Sequence, residues 1–308
     1  MTKLRRALEE YLAIRRTLGF KLRVEGRLLH RFVEFAEKEK ASFITIKLAL
    51  EWATQPINVQ PAQWSNRLRM VRVFAQYRSA ADPRTEIPPE GLLPYRYRRK
   101  PPYIYTDAEI SKLIRAAKKL PSPRGLRGPT LSTLFGLLAA TGMRASEPIN
   151  LDCKDVDLRN GILTIHQTKF DKSRLVPMHI TTKNKLREYA HLRDKLCPNP
   201  ISPSFFISGR GTRLTYCTVR YSFIILSHQI GFRCPGDSHG PHLHDLRHRF
   251  AIKTLLNWYR SGCDVEKNVP ILTAYLGHRH VNDTYWYVSA TPELLQLAAR
   301  RLNIRKER

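Results

Sequence analysis

The sequence predicts a mainly α-helical protein of two domains, with a small antiparallel β-sheet in the second domain. Three observations lead to this fold class. Apolar residues recur at helical spacing through most of the 308 residues. A proline-rich, basic stretch interrupts this periodicity at residues 83–103. Two short segments alternate in the way that β-strands do. We therefore expect domains at residues 1–82 and 104–308, joined by a semi-rigid linker.

The first predicted domain contains four helices, each marked by a local signal. An apolar stripe at helical spacing ends at Gly19, and a second stripe covers residues 28–35. Thr45 is the expected N-cap of the third helix. Pro61 can open the fourth, because its missing N–H is no loss in a first helical turn.

The second predicted domain begins at a helix start. Thr106 and Glu109 have the spacing of a capping box, in which each side chain accepts a hydrogen bond from a free backbone N–H. Residues 131–140 are strongly apolar, which predicts a helix buried on most sides. Residues 162–165 and 175–178 predict two strands joined by a basic hairpin loop, and most of the remainder is predicted to be helical.

The net charge predicts a polyanionic partner. Lys and Arg number 53 and Asp and Glu number 26, so the formal net charge is +27. Such an excess repels itself in the folded state and is best explained by a partner of opposite charge. Double-stranded DNA is the first expectation and an anionic membrane surface the second. We expect contact with the DNA backbone from four arginines beside the stripe of the fourth helix: Arg67, Arg69, Arg72 and Arg78.

Composition argues against several other classes of protein. Hydrophobic residues make up 42 % of the chain and charged residues 26 %, as in a packed globular protein. No stretch approaches the roughly 18 apolar residues of a membrane helix, and the basic first residues lead into acidic ones, unlike a signal peptide. The five cysteines form no Cys-x-x-Cys pair, which fits reduced thiols. We expect a cytoplasmic protein with no membrane partner.

The sequence contains no motif for a nucleotide or a metal. Neither a phosphate-binding loop nor a dinucleotide-binding glycine motif is found, and no paired carboxylates suggest a two-metal nuclease. One segment is dense in potential zinc ligands, but their spacing matches no zinc template. We therefore expect neither a cofactor nor a metal ion, although that segment contains Cys234, His239, His242, His244 and His248.

Four short segments combine side chains that suit phosphate chemistry. The first, Thr-Gly-Met-Arg-Ala-Ser-Glu, follows the apolar helix. The second is a lysine in the hairpin loop. The third, His-Asp-Leu-Arg-His, opens a later helix, and the fourth, Leu-Gly-His, precedes a tyrosine by nine residues. The residues concerned are Arg144, Glu147, Lys169, His244, Arg247, His248, His278 and Tyr287.

The order and spacing of these segments resemble the tyrosine recombinase (phage integrase) family, above all its transposon-borne members. The resemblance covers the chain from Thr106 to its end, and the first domain is similar to that family's helical DNA-binding domain by pattern and position. It implies a two-domain DNA clamp whose catalytic domain spans residues 104–308. It also implies a site-specific recombinase that cleaves and rejoins DNA strands through a 3′-phosphotyrosyl intermediate.

The chemistry of the residues agrees with this resemblance. Arg144 and Arg247 suit a phosphodiester, because a guanidinium group gives bidentate, charge-assisted hydrogen bonds to its oxygens. The hydroxyl of Tyr287 has an ordinary pKa near 10, so a nucleophilic tyrosine needs nearby cations and a proton acceptor such as His244. Lys169 suits the general acid that protonates the leaving 5′ oxygen. The resemblance adds His278 to the catalytic set and leaves supporting positions for two residues, Glu147 and His248.

Two of these choices have competitors nearby in the chain. Tyr285 and Tyr287 are two residues apart, so they lie on different faces of a helix, and only one of them can meet the site that contains His278. The family's spacing selects Tyr287 and leaves Tyr285 as a packing residue. Lys172 and Arg174 share the hairpin loop with Lys169, which the resemblance selects by its distance to the following Val-Pro pair.

The resemblance also bears on assembly. An apolar helix is predicted after the nucleophile, and in this family such a tail docks on a neighbouring copy, so we expect four protomers on DNA. The alternative is that this helix folds back on its own domain. Accessory recombinases or DNA-bending proteins are further expected partners. Residues 257–269 look like an insertion, which we expect to form a surface loop.

Two other functions stay open from the sequence. A type IB topoisomerase uses similar chemistry to relax supercoils as a monomer. A non-catalytic DNA-binding protein of the same fold would need a broken site, and every matched position is filled here.

Overall fold

The computed structural model divides the chain into two compact units, which are described separately below. The N-terminal unit is Met1–Lys100 and the C-terminal unit is Pro101–Arg308. The architecture is mainly helical with one small antiparallel sheet, which confirms the predicted fold class. The structure describes residues 2–95, 101–166, 173–234, 236–237 and 240–306.

The N-terminal unit contains the four helices that the sequence predicts. Thr45 accepts a hydrogen bond from the backbone N–H of Leu48, as an N-cap does. Gly19 follows the first helix with a φ of 86°, a conformation that glycine adopts at little cost. The helices are α1 (Lys3–Thr17), α2 (Arg23–Lys38), α3 (Ile46–Thr54) and α4 (Pro61–Ser79).

Three of the arginines expected to contact DNA instead support the N-terminal unit itself. Arg67 stacks over the ring of Trp52 and donates to its carbonyl oxygen. Arg72 donates to the carbonyl oxygens of Pro88 and Pro89. The third, Arg78, pairs with Asp82. For these three side chains the expected contact with a polyanion is corrected to contacts within the unit.

Part of the predicted linker packs on the N-terminal unit. The backbone N–H of Glu86 donates to the carbonyl oxygen of Ile44 over 2.8 Å, and its carboxylate accepts from the backbone N–H of Ile46. Thr85 is buried and Leu93 packs against the apolar core. Prolines prevent this segment from forming a helix, but they leave its carbonyl groups available to the unit. Residues 96–100 lie outside the described part of the chain.

The C-terminal unit places helices around a three-stranded antiparallel sheet of order β1-β2-β3. The strands are β1 (Val156–Asp157), β2 (Ile162–Ile165) and β3 (Arg174–Pro177). Two 3₁₀ helices occupy Cys153–Asp155 and Trp286–Ala290. The α-helices are α5 (Asp107–Lys118), α6 (Arg127–Thr141), α7 (Ser146–Asn150), α8 (Ile180–Leu196), α9 (Tyr216–Gln229), α10 (Asp245–Arg260), α11 (Val265–Leu276), α12 (Asn282–Tyr285) and α13 (Pro292–Lys306).

The strongest local signals of the C-terminal unit are confirmed. Thr106 and Glu109 form the capping box at the start of α5. The apolar helix α6 is buried over most of its length and packs against α5, α8 and α10. Strands β2 and β3 pair with Leu163 opposite Val176, and both of these side chains are buried. The two-residue strand β1 is too short to leave a pattern in the sequence.

Residues 257–269 do not form the surface loop that the sequence predicts. They comprise the last turn of α10, a short turn and the first turn of α11. Val265 and Val269 are buried in a core with Leu255. The segment extends two helices that share this core, so the prediction of a loop is wrong.

The last described helix, α13, packs on its own unit in this structure. The side chain of Leu294 is fully buried in the core that also contains Leu255 and Val269. Arg260 and Glu293 form an ion pair of 2.6 Å between α10 and α13. In the single chain this helix therefore folds back on its own unit, and its docking on a neighbouring copy in an assembly on DNA stays a prediction.

None of the helices in the described ranges is long and apolar enough to cross a membrane.

Candidate active site

Seven of the eight residues singled out in the sequence converge through the ends of helices in the C-terminal unit. Gly142 ends α6, and Arg144 and Glu147 follow it. Gly277 ends α11, and the next residue is His278. The first turns of α10 and the 3₁₀ helix after α12 carry the remaining four: His244, Arg247, His248 and Tyr287. Contacts between these segments define the site. Glu147 takes part by binding Arg144 and Arg174.

Arg144 is held on one side by a carboxylate and on the other by a carbonyl group. Its Nη1 donates to Oε1 of Glu147 over 3.0 Å, and its Nη2 donates to the carbonyl oxygen of Gly277 over 2.8 Å. The backbone N–H of Arg144 donates to the other oxygen of Glu147. The guanidinium group remains 27 % exposed, so it is able to reach a ligand.

Arg247 is buried and held by carbonyl oxygens. Only 2 % of this residue is exposed. Its Nη1 donates to the carbonyl oxygen of Gly142 over 2.9 Å, and its Nη2 donates to that of Leu276 over 2.7 Å. Burial, together with repulsion from Arg144, lowers the pKa of Arg247 to about 10. Arg247 therefore stays charged at neutral pH although it is buried.

Helix C-termini provide the acceptors for these arginines. The last four carbonyl groups of an α-helix lack partners within the helix, and they lie at the negative end of its dipole. Leu276 is the last residue of α11, and Gly142 and Gly277 cap α6 and α11. These neutral acceptors hold the guanidinium groups in place without cancelling their positive charge.

Both capping glycines are required for close approach as well as for backbone conformation. Gly142 and Gly277 have φ values of 62° and 67°, which disfavour other residues. A Cβ atom on Gly142 would lie 2.5 Å from the ring of Phe250. One on Gly277 would lie 2.8 Å from the guanidinium group of Arg174. A side chain at either position would displace a neighbour of the site.

His278 is held by a buried threonine pair beside Tyr287. Its Nδ1 lies 2.8 Å from the hydroxyl oxygen of Thr284, which in turn lies 2.8 Å from that of Thr273. The ring of His278 is nearly parallel to that of Tyr287, with centroids 6.1 Å apart. The threonines fix the orientation of the imidazole.

Tyr287 is the tyrosine that reaches the site. It is 2 % exposed, and its hydroxyl oxygen lies 3.2 Å from Nδ1 of His248. The ring of His244 lies against that of His248, with centroids 4.7 Å apart. Tyr285 is 44 % exposed, so it does not serve as the packing residue that the sequence analysis expects. The histidine in contact with the tyrosine hydroxyl is therefore His248, which the sequence analysis places in a supporting position.

Burial and the neighbouring arginines keep His244 and His278 neutral. Burial by surrounding protein and repulsion from Arg247 and Arg144 lower the pKa of both His244 and His278 to about 4. At neutral pH each imidazole is therefore uncharged and able to accept a proton.

One buried residue of the site has no assigned role in the sequence analysis. Arg174, the first residue of β3, donates to both carboxylate oxygens of Glu147 over 3.0 and 2.7 Å. Burial would raise the pKa of Glu147, but hydrogen bonds and charge from Arg174 and Arg144 lower it below its ordinary value. Two guanidinium groups, those of Arg174 and Arg144, thus bind one carboxylate.

Lys169 lies outside the described residues, as does its competitor Lys172. His239 of the dense cysteine and histidine segment lies outside them too. Within the described part of the chain, no group of three or more His, Cys, Asp or Glu residues is placed to hold a metal ion.

Comparison with known proteins identifies this arrangement. The model of the phage integrase family matches residues 104–293, which is most of the C-terminal unit. The chain belongs to the phage integrase family. It is a site-specific DNA recombinase of the tyrosine type, and the alternatives of a topoisomerase and a non-catalytic binding protein are not favoured.

Relatives of this recombinase match over nearly its full length. A putative integrase/recombinase of Sinorhizobium fredii (strain NBRC 101917 / NGR234), y4rB, is 49 % identical over 311 residues, covering 100 % of this chain and 99 % of the relative.

Two solved structures share its fold. XerH recombinase, in a post-cleavage complex with a palindromic difH substrate, has a TM-score of 0.65 and 21 % identity, covering 90 % of this chain and 77 % of XerH. A lambda integrase tetramer on a Holliday junction has a TM-score of 0.62 and 18 % identity, with the same shares.

Proposed function

We propose that this recombinase cleaves DNA by attack of the Tyr287 hydroxyl on a backbone phosphate. One observation carries the assignment. Tyr287 is held within hydrogen-bond reach of a histidine, in a site with one buried and one partly exposed guanidinium group whose charge the protein compensates only in part. An anion placed there supplies the missing negative charge, and the phosphodiester is the anion that DNA offers.

The proposed reaction is a transesterification in two steps. The oxygen of Tyr287 bonds to phosphorus while the bond from phosphorus to the 5′ oxygen breaks. This step leaves a 3′-phosphotyrosyl link and a free 5′ hydroxyl. A 5′ hydroxyl from a second strand then attacks the same phosphorus and releases the tyrosine. No net phosphodiester bond is lost, so the energy of the broken bond is conserved.

Each site residue has a proposed part in this reaction. Arg144 and Arg247 stabilise the charge that develops on the non-bridging oxygens, a contribution of order 3 kcal/mol for one preorganised donor. His248 and His244 take the tyrosine proton, because His248 contacts the hydroxyl and the ring of His244 lies against that of His248. His278 serves as a further donor beside the phosphate.

The leaving 5′ oxygen also needs a proton. We propose Lys169 as its donor, on the basis of its place between β2 and β3, two strands that pair directly and of which β3 contacts the site through Arg174.

The proposed ligand is double-stranded DNA bound by several copies of the chain. The net charge of +27 supports binding to the duplex. The lambda integrase neighbour is a tetramer on a Holliday junction, which supports self-association of this recombinase on DNA. We propose four protomers that exchange one pair of strands at a time.

The test is a comparison of Tyr287→Phe with Tyr285→Phe. The substrate is a duplex taken from repeats that flank the gene, nicked so that the strand released by cleavage diffuses away. Tyr287→Phe loses only a hydroxyl, so we expect normal DNA binding and complete loss of the covalent adduct on denaturing gels. Tyr285→Phe, two residues away and exposed, is the matched control and should form the adduct. The reverse result would assign the nucleophile to Tyr285.

A further inference from the structure

We infer that Arg174 is a positioning residue that sets the place and the effective charge of Arg144. This inference rests on the proposed function, in which Arg144 binds the reacting phosphate. Arg174 is a short way from the proposed general acid in sequence, but its contacts give it a different part in the site.

The contacts of Arg174 join three segments that are far apart in the chain. Its Nη1 and Nη2 bind both oxygens of Glu147, 27 residues earlier. Its Nε donates to the carbonyl oxygen of Tyr275, 101 residues later, in the last turn of α11. The side chain is only 11 % exposed. Each of the three nitrogen atoms of the guanidinium group thus donates a hydrogen bond to protein.

These partners are the same elements that hold Arg144. Glu147 accepts from the side chain and from the backbone N–H of Arg144. Gly277, two residues after Tyr275, accepts from Nη2 of Arg144. Arg174 therefore fixes both anchors of Arg144 with one planar group, and a shift of either anchor would move the guanidinium group of Arg144 away from the phosphate.

Arg174 also decides how strongly Glu147 neutralises Arg144. The carboxylate carries one negative charge and is shared between two guanidinium groups. Without Arg174, the same charge would act on Arg144 alone and would compete with the phosphate for it. Sharing leaves part of the positive charge of Arg144 available to DNA.

The shape of the contact requires arginine in particular. A guanidinium group presents a fixed fork to a carboxylate and a further N–H to the carbonyl group of Tyr275. An ammonium group is a point charge and cannot make this set of contacts in one plane. The absence of space for a Cβ atom on Gly277 shows how closely the backbone approaches this fork.

The experiment measures the rate of adduct formation at saturating DNA for Arg174→Met and Arg174→Lys. Loss of a residue that orients a ligand-binding group typically costs about 10- to 100-fold in activity, and we expect a loss of that size for Arg174→Met. Arg174→Lys should recover only part of the rate, since it restores charge without the fork. Affinity for the same DNA, measured in the Tyr287→Phe background, should change far less than the rate.

Arg193→Met is the matched control. Arg193 is as buried as Arg174, with 10 % of its side chain exposed, and it binds a carbonyl oxygen and a carboxylate that are not in the site. Its loss should leave the rate at saturating DNA unchanged. An equal loss of rate in both variants would overturn the inference, because it would indicate a general effect of removing a buried arginine.

A double variant separates positioning from independent action. If Arg174 acts through Arg144, then Arg144→Ala with Arg174→Met should be no slower than Arg144→Ala alone. Losses that multiply would overturn the inference. If Arg174→Met fails to fold, the same comparison with Arg144→Ala is made with Arg174→Lys. Failure of the wild-type chain to form any adduct would count against the proposed function itself, whereas a normal rate for Arg174→Met would remove only this inference.

Discussion

The two units of this recombinase differ in the partners that they give to their arginines. In the N-terminal unit, Arg78 and Arg84 both pair with Asp82, whose pKa falls to about 2 through hydrogen bonds from Arg84 despite the opposing effect of burial. In the C-terminal unit, two guanidinium groups share the carboxylate of Glu147, and Arg247 binds backbone carbonyl groups instead. Arg78 therefore has a carboxylate partner within its own unit, whereas the described hydrogen bonds of Arg247 go to uncharged carbonyl groups and leave its charge open to an anion.

This difference shows that the number of arginines in a segment does not locate the ligand. Arg67 and Arg72 lie in the arginine-rich helix α4, yet their hydrogen bonds go to carbonyl groups within their own unit. Burying a charge without an opposite charge is costly. Where a protein does so, as with Arg247, the cost is offset by dipoles in the free state and by a charged ligand in the bound state.

The largest expected effect concerns Lys169. It tests whether this residue donates a proton to the leaving oxygen or only contributes positive charge. Lys169→Ala should slow cleavage of ordinary DNA by the 10²–10⁴-fold that loss of a general acid typically costs. Replacing the bridging 5′ oxygen by sulfur removes the need for a proton, since a thiolate leaves unaided. The variant should therefore cleave the sulfur-bridged duplex at nearly the wild-type rate, measured as adduct formed over time.

Two control variants define what this experiment decides. Arg144→Ala should be slow on both substrates, because it acts on the non-bridging oxygens. If Lys172→Ala, and not Lys169→Ala, is slow on ordinary DNA and regains the wild-type rate on the sulfur-bridged duplex, then Lys172 is the general acid. Slow cleavage of the sulfur substrate by Lys169→Ala would assign this residue to binding or structure.

Arg247→Met and Arg78→Met compare an arginine held by carbonyl groups with one paired to a carboxylate. Arg247→Met should slow adduct formation about 10²–10³-fold, as loss of a preorganised donor does. Its urea midpoint should change little, because relief of repulsion from Arg144 offsets two lost hydrogen bonds to carbonyl groups.

Arg78→Met should give the opposite pattern. It removes a partner of the carboxylate of Asp82, so the urea midpoint should fall while cleavage at saturating DNA is retained. If the urea midpoint of Arg247→Met falls as far as that of Arg78→Met, the distinction between an arginine held by carbonyl groups and one paired to a carboxylate is wrong.

The smallest expected effect is a change in protonation. In free Tyr287→Phe protein, NMR should find a pKa of about 4 for His244 and His278. Bound DNA should raise both pKa values, because its phosphate offsets the charges of Arg144 and Arg247. A denatured sample should titrate near pH 6.5. Since the unfolded chain takes up these protons at a higher pH than the folded one, these two histidines should make the folded state less stable as pH falls from about 6.5 to 4.

Titration of either ring near pH 6.5 in the free protein would contradict the low pKa that burial and the two arginines give to His244 and His278. A pKa unchanged by DNA would show that the phosphate does not lie beside the arginines.

Local signals in the sequence predict the elements of the fold well. A capping box at Thr106, an N-cap at Thr45 and a proline at the start of α4 each act within one helical turn, so the sequence itself contains the interaction. The short strands of the hairpin are predicted for the same reason, because their pairing is close in the chain.

The sequence fails where an interaction depends on distant partners. Arg174 reads as one more cation of a basic loop until Glu147 and Tyr275 are brought to it. The prolines near residues 88 and 89 read as a linker, whereas their carbonyl groups are acceptors for Arg72. Only the contact with Tyr287, 39 residues further along the chain, shows that His248 and not His244 meets the tyrosine hydroxyl.

The helix-end anchors of the arginines have a consequence for sequence drift. Every amino acid has a backbone carbonyl group, so substitutions at Tyr275 and Leu276 leave the acceptors of Arg174 and Arg247 in place, provided that α11 keeps its path. Gly277 has no such freedom, because a Cβ atom would collide with Arg174. Among distant descendants of this chain, positions 275 and 276 should exchange side chains of similar size and the glycine after them should persist.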